Sequence, residues 1–212
     1  CAFKKPKINF MKKILLAIVV LTTTVLASQA QVQFGLKAGA NFYTLGGDNA
    51  EGENINSKFG LNAGGIVNIP VSAKFKVQPE VVFSVQGAKE DNGGDLNFNF
   101  NYINIPIMAQ IYATEGLYFE LGPQIGFLLK ADFKDETSGT TVDVKDQLKS
   151  TDFGLGVGAG YKMASGFGFN ARYNLGLSNI IEDAGDGELK NRGFQIGVSF
   201  LFGGKKGGEE KK

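Results

Sequence analysis

Four charged residues, Lys37, Glu80, Glu120 and Arg172, interrupt runs in which every second residue is apolar. Two cations and two carboxylates could transfer protons, bind a charged ligand or neutralise one another. Proton transfer at neutral pH ordinarily uses histidine, and the chain contains none. The usual route to an activated serine or cysteine nucleophile is therefore missing. We assign no catalytic residue, no cofactor and no metal site, and we expect a protein that is not an enzyme.

Two other patterns invite chemistry. Gly154, Gly156, Gly158 and Gly160 form a G-x-G series. A phosphate-cradling loop needs a strand, a tight turn and then a helix. These glycines instead alternate with one apolar parity, which predicts a strand that makes room for long side chains opposite, Arg172 among them. Acidic residues cluster at Asp48, Glu51 and Glu53 and again at Glu182, Asp183, Asp186 and Glu188. Their spacing does not match the fixed ligand positions of an EF-hand loop, so a solvated face is expected.

The elements that must carry the four charges are strands. Eight segments alternate with period two, which argues strand rather than helix: residues 34–42, 59–69, 75–87, 96–111, 117–129, 153–161, 167–177 and 194–202. In the third, Phe75, Val77, Pro79, Val81, Phe83 and Val85 share one parity, while Lys76, Gln78, Glu80, Ser84 and Gln86 hold the other. The fourth changes parity. Leu96, Phe98, Phe100 and Tyr102 are apolar at even positions, then Ile103, Ile105, Ile107, Ala109 and Ile111 at odd ones. A one-residue slip flips every side chain to the other face. Either a bulge lies near Tyr102, or the strand proper begins there and the Asn/Phe run is an extramembrane extension.

With the fourth counted from Tyr102, the runs are roughly 9 to 13 residues, where a tilted membrane strand needs about 9 to 11 and a strand in a water-soluble protein averages about 5 to 6. Short connections (70–72, 113–116, 163–166) alternate with long polar ones (44–57, 88–95, 132–150, 181–190). That rhythm predicts an all-β fold, an eight-stranded antiparallel up-and-down transmembrane β-barrel with tight periplasmic turns and extended extracellular loops.

Targeting agrees with this compartment. Met11, Lys12 and Lys13 begin a charged segment, Ile14 to Leu26 is apolar, and Ser28-Gln29-Ala30 offers a cleavage site before Gln31. Residues 1–10 are expected to be an upstream extension, 11–30 a signal peptide, 31–202 the outer-membrane barrel and 203–212 a low-complexity, disordered tail. Removing residues 1–30 takes away five lysines and the only cysteine, so the formal charge moves from +1 to −4. A mildly acidic chain gives no electrostatic case for nucleic acid, and one without cysteine needs no disulfide framework in an oxidising periplasm.

A lysine or arginine facing lipid at the midplane costs about 2–4 kcal/mol. Lys37, Glu80, Glu120 and Arg172 are therefore expected inside, as a polar network filling the lumen near mid-depth. Eight strands leave an interior just wide enough for side chains. Aromatics near the segment ends read as interfacial girdles: Phe34, Phe75, Tyr112, Phe119, Tyr161, Phe167 and Phe202 on the turn side, and Phe42, Phe83, Phe127 and Phe194 on the loop side.

The stretch Phe75-Lys76-Val77-Gln78-Pro79-Glu80-Val81-Val82-Phe83-Ser84 resembles the "LQPELLYS" strand of the small outer-membrane β-barrel proteins abundant in Bacteroidetes, the "porin family" of OmpA/OmpX-like barrels. Tyr102-Ile103-Asn104-Ile105-Pro106-Ile107 is similar to that family's "YLEIPLL", with Asn104 in place of an acid. Residues 121–129 and 172–180 look like two further strands of the group. The resemblance implies an eight-stranded outer-membrane barrel with no assigned enzymatic activity. Such barrels commonly finish on an aromatic read by the assembly machinery, whereas ten residues follow Phe202 here.

The expected role is structural, or one of interaction through mobile acidic loops, with the lumen closed. A narrow porin-like channel for small solutes or ions is the alternative. A soluble periplasmic ligand-binding barrel is a second, and it would reverse the faces. The expected partners are outer-membrane lipid and, during biogenesis, the barrel-assembly machinery and periplasmic chaperones, with the barrel itself a monomer.

Overall fold

The computed structural model describes residues 32–47, 55–90, 96–182 and 187–202. The extension, signal peptide, cleavage site and tail expected at 1–31 and 203–212 lie outside these described residues, as do Asp48, Glu51, Glu53, Asp183 and Asp186. The strands are β1 (Gln33–Gly46), β2 (Ile55–Pro70), β3 (Phe75–Glu90), β4 (Leu96–Tyr112), β5 (Leu117–Asp135), the short β6 (Thr141–Asp143), β7 (Thr151–Lys162), β8 (Phe167–Gly176) and β9 (Lys190–Leu201). Each pairs antiparallel with its neighbours in the order β4-β3-β2-β1-β9-β8-β7-β5, and β4 pairs with β5 to close the ring. Eight strands thus form a closed barrel, and β6 folds back on the loop end of β5.

Local chemistry fixes the short-turn end. The Ser72 hydroxyl accepts from the Phe75 amide at 3.1 Å, and the Thr114 hydroxyl accepts from Leu117 N–H at 3.0 Å. Gly166, at φ +93°, reverses the chain between β7 and β8, a conformation suited to a residue without Cβ. At the other end β2 to β5 run 16 to 19 residues, longer than a bilayer requires, so this side of the barrel stands above the membrane.

The faces separate by parity. Leu61, Val81, Phe83, Ile107, Leu121, Val157 and Val198 lie on the outer wall, while Lys37, Glu80, Glu120 and Arg172 are buried within. This orientation overturns the soluble-barrel alternative, which required apolar residues inside and charges outside. Phe34, Phe119, Tyr161 and Phe202 are exposed near the turn end and Phe42, Phe83, Phe127 and Phe194 nearer the loop end. Tyr112 departs from the expected girdle: it sits at an inward position of β4 and is buried against Tyr118.

The parity change in β4 has a different origin from a bulge in that strand. The even residues Phe100, Tyr102, Asn104, Met108 and Gln110 are all buried, so β4 keeps one inward face throughout. The register does step beside Tyr102: Asn101 pairs with Lys130 but Tyr102 with Leu128, which places the extra residue, Leu129, in β5. What changes along β4 is the lumen's content, from polar below to apolar above. There Leu45, Ala88, Phe100, Tyr102, Leu128, Ala131 and Ile180 form a hydrophobic core inside the loop-side mouth.

Prolines mark thin places in the wall. The β2–β3 pairing skips from Ile66↔Glu80 to Ile69↔Val77 around Pro79. The β4–β5 pairing skips from Pro106↔Gln124 to Ala109↔Leu121 around Pro123. A proline has no N–H for the ladder, so each removes a cross-strand bond from the ring.

Candidate functional site: the closed lumen

The inward parity brings the four charged residues together. Glu80 accepts from Arg172 Nη2 at 2.7 Å and Nη1 at 3.1 Å, a two-pronged contact that matches the guanidinium fork. Its Oε2 also accepts from Lys37 Nζ at 2.9 Å. Arg172 Nε donates to Glu120 Oε1 at 2.8 Å. The cluster therefore holds two positive and two negative groups, all within 5% of full burial. Uncompensated, each charge in such a place costs several kcal/mol; here each has a partner of opposite sign.

These residues lie three to five positions in from the first residues of β1, β3, β5 and β8, so the network occupies the turn-side half and middle of the barrel. Neutral amides extend it around the ring. Gln78 donates to Glu80 at 3.0 Å and Gln110 to Glu120 at 3.2 Å, while Asn68 donates to both Gln78 and Gln110. Gln195 donates to Asn41 at 2.9 Å, and Asn41 in turn to Ser84 at 2.9 Å. Sequence parity places Gln78 and Gln86 on the polar face. Only the ring closure, which sets Asn41 beside Ser84 from 43 residues away, shows them as one collar.

The β7 glycines act as spacers. Gly158 is paired with Arg172, and a Cβ at Gly156 would lie 3.2 Å from Arg172 Cδ. A Cβ at Gly160 would fall 2.3 Å from the Tyr118 hydroxyl. The bare strand thus leaves room on which the arginine stem and a tyrosine ring rest.

Above the network a second polar group sits at the base of the apolar core. Asp152 accepts from Ser178 at 2.7 Å and from Asn191 at 2.9 Å, and Asn191 also reaches the Tyr102 hydroxyl at 3.3 Å. The segments above are tied down rather than loose. Val144 N–H donates to Ala131 at 3.0 Å, Lys149 N–H to Ile180 at 2.7 Å and Glu182 N–H to Gln147 at 3.1 Å. Val144, Leu148 and Leu189 pack onto the apolar core. The described parts of the two connections β5–β7 and β8–β9 therefore cover the loop-side mouth, in contrast to the expected mobile loops. No group of three or more metal-ligating side chains occurs among the described residues.

The chain matches no curated protein. Neisserial surface protein A shares 13% identity, with 79% of this chain and 96% of that chain covered at a TM-score of 0.52, and shows the same fold. Ail of Yersinia pestis gives 18% identity over 80% and 98% of the two chains at a TM-score of 0.49. OprG from Pseudomonas aeruginosa gives 15% over 80% and 95% at 0.45. The family described as outer membrane protein beta-barrel domain matches residues 27–182, most of the chain. On that match and its closed ring of transmembrane strands, the chain belongs to the outer-membrane β-barrel family and is an outer-membrane protein.

Proposed function

We propose that this protein is a plugged barrel that serves the outer membrane through its wall and its extracellular surface, as a structural or interacting component, and neither conducts solutes nor catalyses a reaction. One observation supports this above others: the lumen is closed at two levels. Arg172, Glu80, Lys37 and Glu120 bridge it in the turn-side half, and the Phe100–Tyr102–Leu128–Ile180 core caps it on the loop side. A conducting path would require both the ion pairs to part and the apolar cap to lift. On this reading the chain is exported by its signal peptide, handled by periplasmic chaperones and the assembly machinery, and sits in lipid as a monomer.

The test is planar-bilayer recording from purified, refolded protein. The plugged barrel gives no steady channel events across ordinary voltages. Regular, sizeable conductance steps that disappear with the protein would establish the narrow channel instead. Pull-down from intact cells, with and without residues 136–150, then asks whether the loop face has a partner.

A further inference from the structure

The short-turn mouth of the lumen carries cations that the central network does not use. A cavity of about 340 Å³ opens there, walled by Gln33, Lys76, Tyr112 and Lys162 with Glu115 and Met163 at its rim. Lys162 Nζ is buried and has no hydrogen-bond partner among the described residues, and the same holds for the Tyr112 hydroxyl. Lys76 Nζ stands 4.2 Å from the Tyr112 ring centroid and Lys162 Nζ 5.9 Å from it, so the two ammonium groups lie within about 10 Å of each other. At 5.9 Å and 6.0 Å the contacts of Lys162 to Tyr112 and Tyr118 are at the outer limit of a cation–π interaction. A buried ammonium with so little compensation is costly, and a buried donor without an acceptor is uncommon in folded proteins. Of the nearby carboxylates, Glu120 is engaged by Arg172 and Gln110. Glu115 forms no ion pair with either lysine.

We propose that this mouth is a binding site for a phosphate group, with Lys76 and Lys162 as charge partners and the Tyr112 hydroxyl as a third donor. Lysine serves phosphate as a mobile point charge rather than a fixed fork, which suits an open vestibule. The site faces the periplasm, the side on which tight turns lie in this class of barrel. Its ligand is either a small phosphorylated solute or the headgroup of an inner-leaflet phospholipid, since the rim lies where headgroups end.

The full chain in phosphate-free maltoside micelles, titrated calorimetrically with inorganic phosphate in one arm and with short-chain phosphatidylglycerol in the other, tests this. Saturable binding in either arm is expected, and the tighter arm names the source. Lys162→Gln and Lys76→Gln should each weaken binding at least tenfold, and Tyr112→Phe severalfold. Glu115→Gln should strengthen it, and Lys74→Gln, on the adjoining turn, should leave it unchanged. Each variant is first checked for the folded barrel's gel mobility; Tyr112→Phe keeps its ring packing should a lysine variant fail to fold. No saturable binding in either arm overturns the proposal. So does equal weakening by Lys74→Gln and Lys162→Gln, which would mean general attraction to positive charge.

Discussion

Replacing Arg172 by methionine probes the centre of the lumen, because the methionine keeps much of the stem's volume and removes only the charge and its donors. The structure predicts unequal consequences for the two carboxylates. Glu80 would keep Lys37 at 2.9 Å and Gln78 at 3.0 Å, whereas Glu120 would keep only Gln110 at 3.2 Å. Removing one partner from a buried ion pair costs about 3–5 kcal/mol, most of it from the charge left behind. Arg172→Met should therefore lower the unfolding free energy by about that amount. Neutralising the carboxylate that suffers most should recover part of it: Arg172→Met with Glu120→Gln should be more stable than Arg172→Met alone by about 1–3 kcal/mol, the cost of one unsatisfied buried polar group. Adding Glu80→Gln instead should recover less, since Lys37 would then lose its counter-charge. Urea unfolding in lipid vesicles, followed by circular dichroism and by the gel shift between folded and unfolded barrel, gives these differences. A neutral Arg172→Met, or equal rescue by the two glutamate changes, would refute the assigned geometry.

Val157 lies on the outer wall between Leu121 and Tyr173, so Val157→Lys should destabilise the barrel by about 2–4 kcal/mol in the same vesicle assay; a change below about 1 kcal/mol would contradict its lipid exposure. Gly160→Ala would push a methyl against the Tyr118 ring and its hydroxyl and against the Phe169 carbonyl, and should cost about 1–3 kcal/mol through overpacking in the same assay; an unchanged unfolding free energy would contradict this close approach. At the exposed tip beyond the bilayer, Asp135 accepts from the Ser138 hydroxyl and from the Ser138 and Thr137 amides, and these bonds hold its carboxyl below the usual carboxylate range. A depressed folded-state value contributes order that is complete above the ordinary carboxyl pKa and lost as pH falls through the lower one. The Thr137 and Ser138 amide resonances should accordingly move only below the ordinary carboxyl pKa, and a transition above it would contradict the bonding.

Much of this molecule is legible in its sequence because a membrane barrel imposes one rule, period-two alternation, on every strand. The cost of a charge in lipid is enough to place Lys37, Glu80, Glu120 and Arg172 inside. What parity could not give is which side chains meet, since that depends on strand order, stagger and closure. Arg172 reaches Glu80 from 92 residues away. The β4 segment misleads for a related reason. Alternation reports polarity, and the reading of Phe98, Phe100 and Tyr102 assumed that apolar means outward. Above the bilayer that equation fails, because the barrel there encloses an ordinary hydrophobic core. Tyr112 deceived in the same way at the opposite end. Lys76 is visible in the sequence as a polar-face residue, yet that neither it nor Lys162 has an ion-pair partner among the described residues appears only once the neighbouring strands are in place.

The central claim, that one parity meets lipid while the other is sealed from water, is tested most directly on β3 by single cysteines at Gln78, Val81, Phe83 and Ser84 in a Cys1→Ser background. Labels at Val81 and Phe83 should be quenched by lipid-borne quenchers, whereas thiols at Gln78 and Ser84 should resist both aqueous reagents and lipid quenchers in the folded barrel. Rapid aqueous modification at Ser84 would show an open lumen, and lipid quenching there would show that the wall faces the other way.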